Sequence, residues 1–267
     1  MSLREFVTNS AFIVVLLGIL TAAELAIPLA MAPNHGARRR RANLGMTVVT
    51  LVFNWGLISA AASSAASPQN TGLLSASGLP LAAQTVLGIV VLDFAYGYLA
   101  HRLMHASPFL WKFHRVHHAD AFVDVTTTYR THPVEGLWRY AFLLVPIRLL
   151  GIPAAAIVVY RALSVANAAL EHANIRVRPA ADMWISRLWV TPNMHKVHHS
   201  RIQAETDSNY GNILSIHDRL LGTFTPTDRA FGLAYGLDDA EDAANASATQ
   251  LLAMPFSAGP ASQASAA

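Results

Sequence analysis

LPLAAQTVLGIVVLDFAYGYLAHRLMH, residues 79–105, carries a single formal charge, Asp93, before it reaches Arg102 and two histidines. About 20 apolar residues cross the ~30 Å of bilayer hydrocarbon as a helix, so residues 79–100 read as a membrane span. His101 and His105 stand four apart and share one helical face. The stretch therefore joins a span directly to a pair of side chains of the commonest metal-ligating type. The expected fold is all-α: an integral-membrane helical bundle with a histidine-rich helical cap.

Two further apolar runs lie upstream. Residues 8–31 hold only Glu24 as a charge, and residues 44–62 hold none. A cleavable signal peptide would have a shorter apolar core ending in a small-residue cleavage site, so the first run is expected to be a span as well. The chain is 53% hydrophobic and 13% charged, against about a quarter charged in soluble proteins. A fourth apolar region, residues 137–170, carries Arg139, Arg148 and Arg161 and is interrupted at Gly151-Ile152-Pro153, which reads as a helical hairpin because proline stops a helix. From about residue 238 the composition turns to Asp, Ala, Ser and Pro, and a disordered tail is expected. The organisation is thus three spans over 1–100, a histidine-bearing segment over 101–136, a membrane hairpin over 137–170, a second histidine-bearing segment over 171–237 and a tail over 238–267.

Arg38 to Arg41 separate the first two spans, and the positive-inside rule places that loop in the cytoplasm. The second span then exits and the third returns, which delivers His101 and the residues after it to the cytoplasmic face. The net charge of +3 calls for no acidic partner beyond anionic lipid, and a nucleic-acid patch between two spans is not expected. The chain has no cysteine, which excludes disulfides, iron–sulfur clusters, thiolate-ligated haem and cysteine zinc sites.

Twelve histidines are present, and all but His35 lie beyond the third span. WKFHRVHHAD, residues 111–120, and VTPNMHKVHHS, residues 190–200, repeat the word H-x-V-H-H. On a helix, His114, His117 and His118 point to one side, as do His195, His198 and His199. With His101 and His105 they make more donors than one ion takes, since a catalytic zinc uses about three protein ligands. Two metal ions are therefore expected, each with four or five imidazoles. His172, in LEHANI, is read as a further ligand. His132, in YRTHPVEG, is either a ligand or an outer anchor in a His-Pro turn. His35 reads as a solvated loop residue, and His217 is left open. Imidazole suits iron, copper and zinc rather than magnesium or calcium. Asp93, Asp120, Asp124, Glu135, Glu171 and Asp218 are read as partners for the outer ring nitrogens, or as ordinary ion-pair residues. No H-E-x-x-H, G-x-S-x-G or G-x-x-x-x-G-K-[ST] occurs.

The order HRLMH, LWKFHRVHH, YRTHPVEG, LEHANI, VTPNMHKVHHS and NYGNILSIHDRLLGTF resembles the fatty acid hydroxylase/sterol desaturase superfamily over about residues 90–228. The resemblance implies a membrane-bound non-haem di-iron oxygenase that hydroxylates or desaturates an unactivated C–H bond of a lipid. By motif match, His101, His105, His114, His117, His118, His195, His198 and His199 inherit the ligand role, and no catalytic residue beyond the ligands is assigned. One departure is His217, where relatives commonly have Trp before the Asp. Two iron ions are the expected cofactor, with zinc a substitute in overexpressed protein.

Attack on an alkyl C–H bond is cofactor chemistry, and it requires O2 and electrons from outside, because the chain has neither a G-x-G-x-x-G fingerprint nor a His-Pro-Gly-Gly haem motif. The implied partners are a lipid from the bilayer and an electron donor, ferredoxin-type or a b-type cytochrome with its reductase. The implied location is a bacterial inner membrane or the endoplasmic reticulum. Two other readings keep the histidines: a dinuclear zinc lipid hydrolase working through bound hydroxide, and a metal carrier, whose ligands would be expected near the bilayer midplane. Tyr96, Tyr98, Trp111, Phe113, Tyr129, Trp138, Trp184 and Trp189 read mainly as interfacial anchors, with a lipid cavity as the other role.

Overall fold

The computed structural model describes residues 3–32, 36–65, 67, 70–240, 243 and 245–257. His35 falls outside them. Four long elements form the apolar body: α1 (Leu3–Ala26), α2 (Ala37–Ala65), α3 (Leu81–Leu92) continuing through a π-helical turn Asp93–Leu99 into α4 (Ala100–Ala106), and the hairpin of α6 (Pro133–Leu150) and α7 (Ala154–His172), with α5 (Pro108–His118) between α4 and α6. Shorter helices complete the cap: α8 (Pro179–Ile185), α9 (Pro192–His198), α10 (Gln203–Thr206), α11 (Ile216–Leu220) and α12 (Ala248–Ala253). Among the described residues there is no strand, only isolated bridges such as Trp189 with Leu214.

Among the described residues, four segments are long and apolar enough to cross a membrane: Val7–Ala26, Ala37–Ala61, Leu81–Ala106 and Ala154–His172. α1 shows what solvates them. Val7, Phe12, Val14, Val15 and Ile19 are all exposed while Ile13 and Leu20 are buried, so most of its apolar surface faces outward, which is stable only in hydrocarbon. Its one inward charge is used: Glu24 accepts the backbone N–H groups of Val125 and Asn174, at 2.7 Å each. The hairpin turns where α6 ends on Gly151, whose positive φ of 65° a β-carbon would disfavour. Leu92, Leu143, Ile147, Ile152, Ile157 and Tyr160 then lock α3, α6 and α7 together.

Two sequence expectations change. The arginine block is not a loop but the first turn of α2, in which Arg39 is buried and the others are exposed. Arg39 pairs with Asp120 at 3.0 Å and with Asp124, so the block is tied to the end of the first histidine word and the residues just after it. The expected tail, as far as it is described, is structured: Ser247 caps α12 in a capping box with Gln250, and Leu251 is fully buried against Met46 and Val116. Residues 258–267 lie outside the described residues. An Ala-rich composition hid the one leucine of α12 that is buried.

Candidate metal centre

The cap folds around its histidines because each word starts with a helix cap and ends in a turn. Ser107 caps α5, with Pro108 at its first position, and the side chain of Thr191 caps α9 before Pro192 in the same way. Each helix therefore stands at a fixed phase, and α5 with its three histidines faces α9, which carries His195 and His198 and is followed by His199.

Nine of the ten predicted histidines converge into two groups. His101, His105, His114, His118 and His198 form one, and His117, His172, His195 and His199 the other, with one donor atom per residue all within 4.8 Å in each group. Every member is buried. The groups adjoin, since the rings of His117 and His199 are 4.6 Å apart and those of His118 and His199 stack at 4.6 Å. The words interleave: α5 gives His114 and His118 to the first group and His117 to the second, while α9 and the residue after it give His198 to the first and His195 and His199 to the second.

The donor atoms fit metal ions and not one another. His172 Nδ1 is 2.7 Å from the Ala168 carbonyl, which only accepts, so the ring proton sits there and Nε2 is a bare lone pair. That Nε2 lies 3.0 Å from His117 Nε2, 3.0 Å from His195 Nε2 and 3.2 Å from His199 Nε2, and one lone pair cannot satisfy three neighbours. In the other group, His101 Nε2 and His118 Nε2 lie 3.0 and 3.2 Å from His114 Nε2, while Nε2 of His105 and of His198 has no protein partner. Two nitrogens each about 2.1 Å from a shared ion at a right angle are roughly 3 Å apart, which is this spacing. Burial, before the neighbouring imidazoles, pushes His114, His117, His118, His195, His198 and His199 well below the usual histidine pKa. They are held neutral, the ligating form.

Outer partners divide unevenly. His101 Nδ1 donates to the Tyr210 carbonyl at 2.8 Å and His198 Nδ1 to the Ser208 carbonyl at 2.7 Å, while His114 Nδ1 meets Glu135 at 3.0 Å and His105 Nδ1 meets Asp207 at 3.2 Å. Of the acidic residues named from sequence, only Glu135 lies this close to an imidazole of either group. Asp120 and Asp124 hold Arg39 instead, and Glu171 stands 3.8 Å from His195 Nε2. Asp93 accepts N–H bonds from Ile213 and Leu214 and lies 3.3 Å from His217. Asp207 escapes sequence reading: it sits in a polar loop with no periodicity, and only the fold shows that the loop passes His105. Two backbone carbonyls in the same loop are equally invisible there. His132 joins neither group. Its Nδ1 accepts the Val134 N–H and caps α6, and its ring packs on Phe113 at 5.0 Å.

The aromatic residues also separate. Trp111 packs its ring on His105 and His118 at 4.9 and 5.4 Å, and Trp138 donates to the Ala100 carbonyl. Trp184 is exposed with Arg187 over its ring. Tyr96 and Tyr129 line a cavity of about 110 Å³ that reaches His117, His172 and His195 of the second group but only His101 of the first.

Fold and site together define a helical membrane protein with two adjacent imidazole clusters suited to metal ions. Residues 85–223, just over half of the chain, match the fatty acid hydroxylase family, and the chain belongs to that family. It is 38% identical over 145 residues to the ornithine lipid hydroxylase OlsE of Rhizobium tropici, a match covering 54% of this chain and 43% of that protein. It is 30% identical over 155 residues to the alkylglycerol monooxygenase of Caenorhabditis elegans, covering 57% and 29%, and 31% identical over 153 residues to that of Xenopus tropicalis, covering 57% and 32%. The match thus spans less than half the length of these relatives. No solved structure matches.

Proposed function

We infer that the protein is a membrane-bound non-haem di-iron oxygenase that hydroxylates or desaturates a C–H bond of a lipid. The observation that carries this reading is the pair of adjoining imidazole groups beside a cavity in the apolar body, which touches mainly the four-histidine group. Family membership and the names of the relatives, a lipid hydroxylase and a monooxygenase, support it.

His101, His105, His114, His118 and His198 would hold one iron, and His117, His172, His195 and His199 the other. Iron in these sites would supply the O2 activation and one-electron steps that side chains lack. For hydroxylation, the substrate C–H, O2, two electrons and two protons give C–OH and water, with the electrons from an external ferredoxin-type or cytochrome donor. The protein's own part is positional. Ala168, Ser208 and Tyr210 carbonyls fix the tautomers of His172, His198 and His101. Glu135 and Asp207 orient His114 and His105 from outside. The spans let a lipid approach laterally, and the histidine cap is assigned to the cytoplasmic side, where the donor would act.

The test is lipid mass spectrometry of membranes containing the protein, supplied with ¹⁸O2 and a reductant. The expected result is a lipid that gains ¹⁸O, or ¹⁸O in water for desaturation, only when both are present. Lipid conversion at an undiminished rate without O2 would overturn the reading in favour of a zinc hydrolase.

A further inference from the structure

One cation inside the apolar body has no use in the proposed oxygenation. Arg161 lies in the middle of α7, within the span Ala154–His172. A charged side chain in a span is costly unless it is paired or faces a functional cavity. Two other inward-turned arginines are paired: Arg39 with Asp120 and Asp124, and Arg139 with Glu135 at 3.2 Å. Among the described residues no carboxylate lies within ion-pair distance of Arg161, whose guanidinium sits 5.0 Å over the Tyr96 ring.

The same arginine lines the 110 Å³ cavity, together with Ser164, Ala168, Glu171 and His172. These positions lie three, seven, ten and eleven residues beyond Arg161, one face of a helix, so one stripe runs from the guanidinium to a candidate metal ligand, about 16 Å along the axis. Another lining group is unsatisfied: Tyr129 Oη, a hydroxyl able to donate, is buried without a hydrogen-bond partner. A hydrocarbon occupant would leave it so. A whole lipid does not fit either, since cavities that enclose drug-sized ligands are about 300–1,000 Å³.

We propose that this cavity binds the anionic group of a lipid substrate, a carboxylate or a phosphate, with Arg161 as its charge partner and Tyr129 as a further donor. A guanidinium presents paired N–H groups that match either oxyanion. This rests on the oxygenase reading for the word substrate, but the binding itself does not.

The test uses the full chain, purified in micelles of a neutral detergent, anaerobic and without reductant. Tryptophan fluorescence titrations compare oleate, oleoyl lysophosphatidate and the uncharged monoolein. At least one acid is expected to bind about 10-fold to 100-fold tighter than monoolein, and whichever acid wins identifies the head. R161Q should erase that preference, R161K should keep part of it, and bound metal should stay unchanged. Y129F, which alters one oxygen only, should weaken the acid about threefold or more and leave monoolein unaffected, so it decides the matter if R161Q does not fold. Equal binding of all three amphiphiles, or an acid preference that survives in R161Q and Y129F, would overturn the proposal. Because no turnover is read, a protein that prefers the acid yet never consumes O2 would sink the oxygenase reading alone.

Discussion

In the five-histidine group, four rings have their second nitrogen on an outside acceptor: Tyr210 and Ser208 carbonyls, Glu135 and Asp207. In the four-histidine group His172 alone has one, and Nδ1 of His117, His195 and His199 has no partner. The cavity reverses the emphasis, touching three members of the four-histidine group and one of the other. Outer bonds fix ring orientation and raise ligand basicity, so the first group is built to hold an ion rigidly. The second group has fewer donors, fewer braces and the open side, which under the proposed function would suit the ion nearer to substrate.

The largest expected effect breaks the comparison outright if it is symmetrical. H195A and H118A should each lower turnover by at least about 10³-fold, as removal of members of a catalytic unit does. Their metal contents should differ. H195A leaves three imidazoles in its group and should lose that ion, while H118A leaves four and should keep most of its own. Iron per chain, measured after anaerobic reconstitution, is the readout, and equal losses would mean that the two groups are equivalent.

A smaller effect sharpens the difference through the outer ring. D207A removes the partner of His105 without touching a ligand, and loss of such partners typically costs about 10–100-fold in metal affinity. Chelator competition should show one weakened ion and one unchanged ion. If both ions weaken alike, the bracing is shared across the groups and the asymmetry is only apparent.

How far the sequence carries this picture depends on what kind of contact is involved. Spans are legible because hydrocarbon demands long apolar runs, and the histidine words are legible because i, i+3, i+4 spacing fixes a face. Donor count alone implies two ions. It does not tell that α5 and α9 interleave, giving neighbouring histidines to different groups, since that depends on how two helices meet. Arg39 is readable as a topology signal but not as the partner of Asp120, 81 residues away. Asp207 and the carbonyls of Ser208 and Tyr210 leave no mark, because a loop that presents backbone has no side-chain pattern. Leu251 is concealed by its neighbours' composition, although its burial needs only one well-placed apolar residue.

The smallest prediction concerns the loop that braces the five-histidine group. Asp218 accepts the N–H groups of Tyr210 and Gly211, at 2.8 Å each, and the Thr223 hydroxyl at 2.7 Å. Burial nevertheless raises its pKa from 3.8 to about 6. A carboxyl whose folded pKa lies above its unfolded value favours folding in the protonated form, so its contribution is complete below pH 3.8 and is lost as pH rises through 6. Between pH 7 and pH 5 the metal-loaded protein should therefore gain about 1 kcal/mol relative to D218N, which is fixed in an uncharged state. Thermal unfolding of the two proteins at both pH values measures this double difference, in which the protonation of other groups cancels. Chelator competition across the same range should show the five-histidine ion responding to D218N and the four-histidine ion indifferent, because only the former rests its His101 on the loop that Asp218 holds. A null double difference would show that the loop is fixed by Asn209 and Thr223 through their own backbone bond of 2.8 Å, and the bracing of the first group would then not depend on a buried charge.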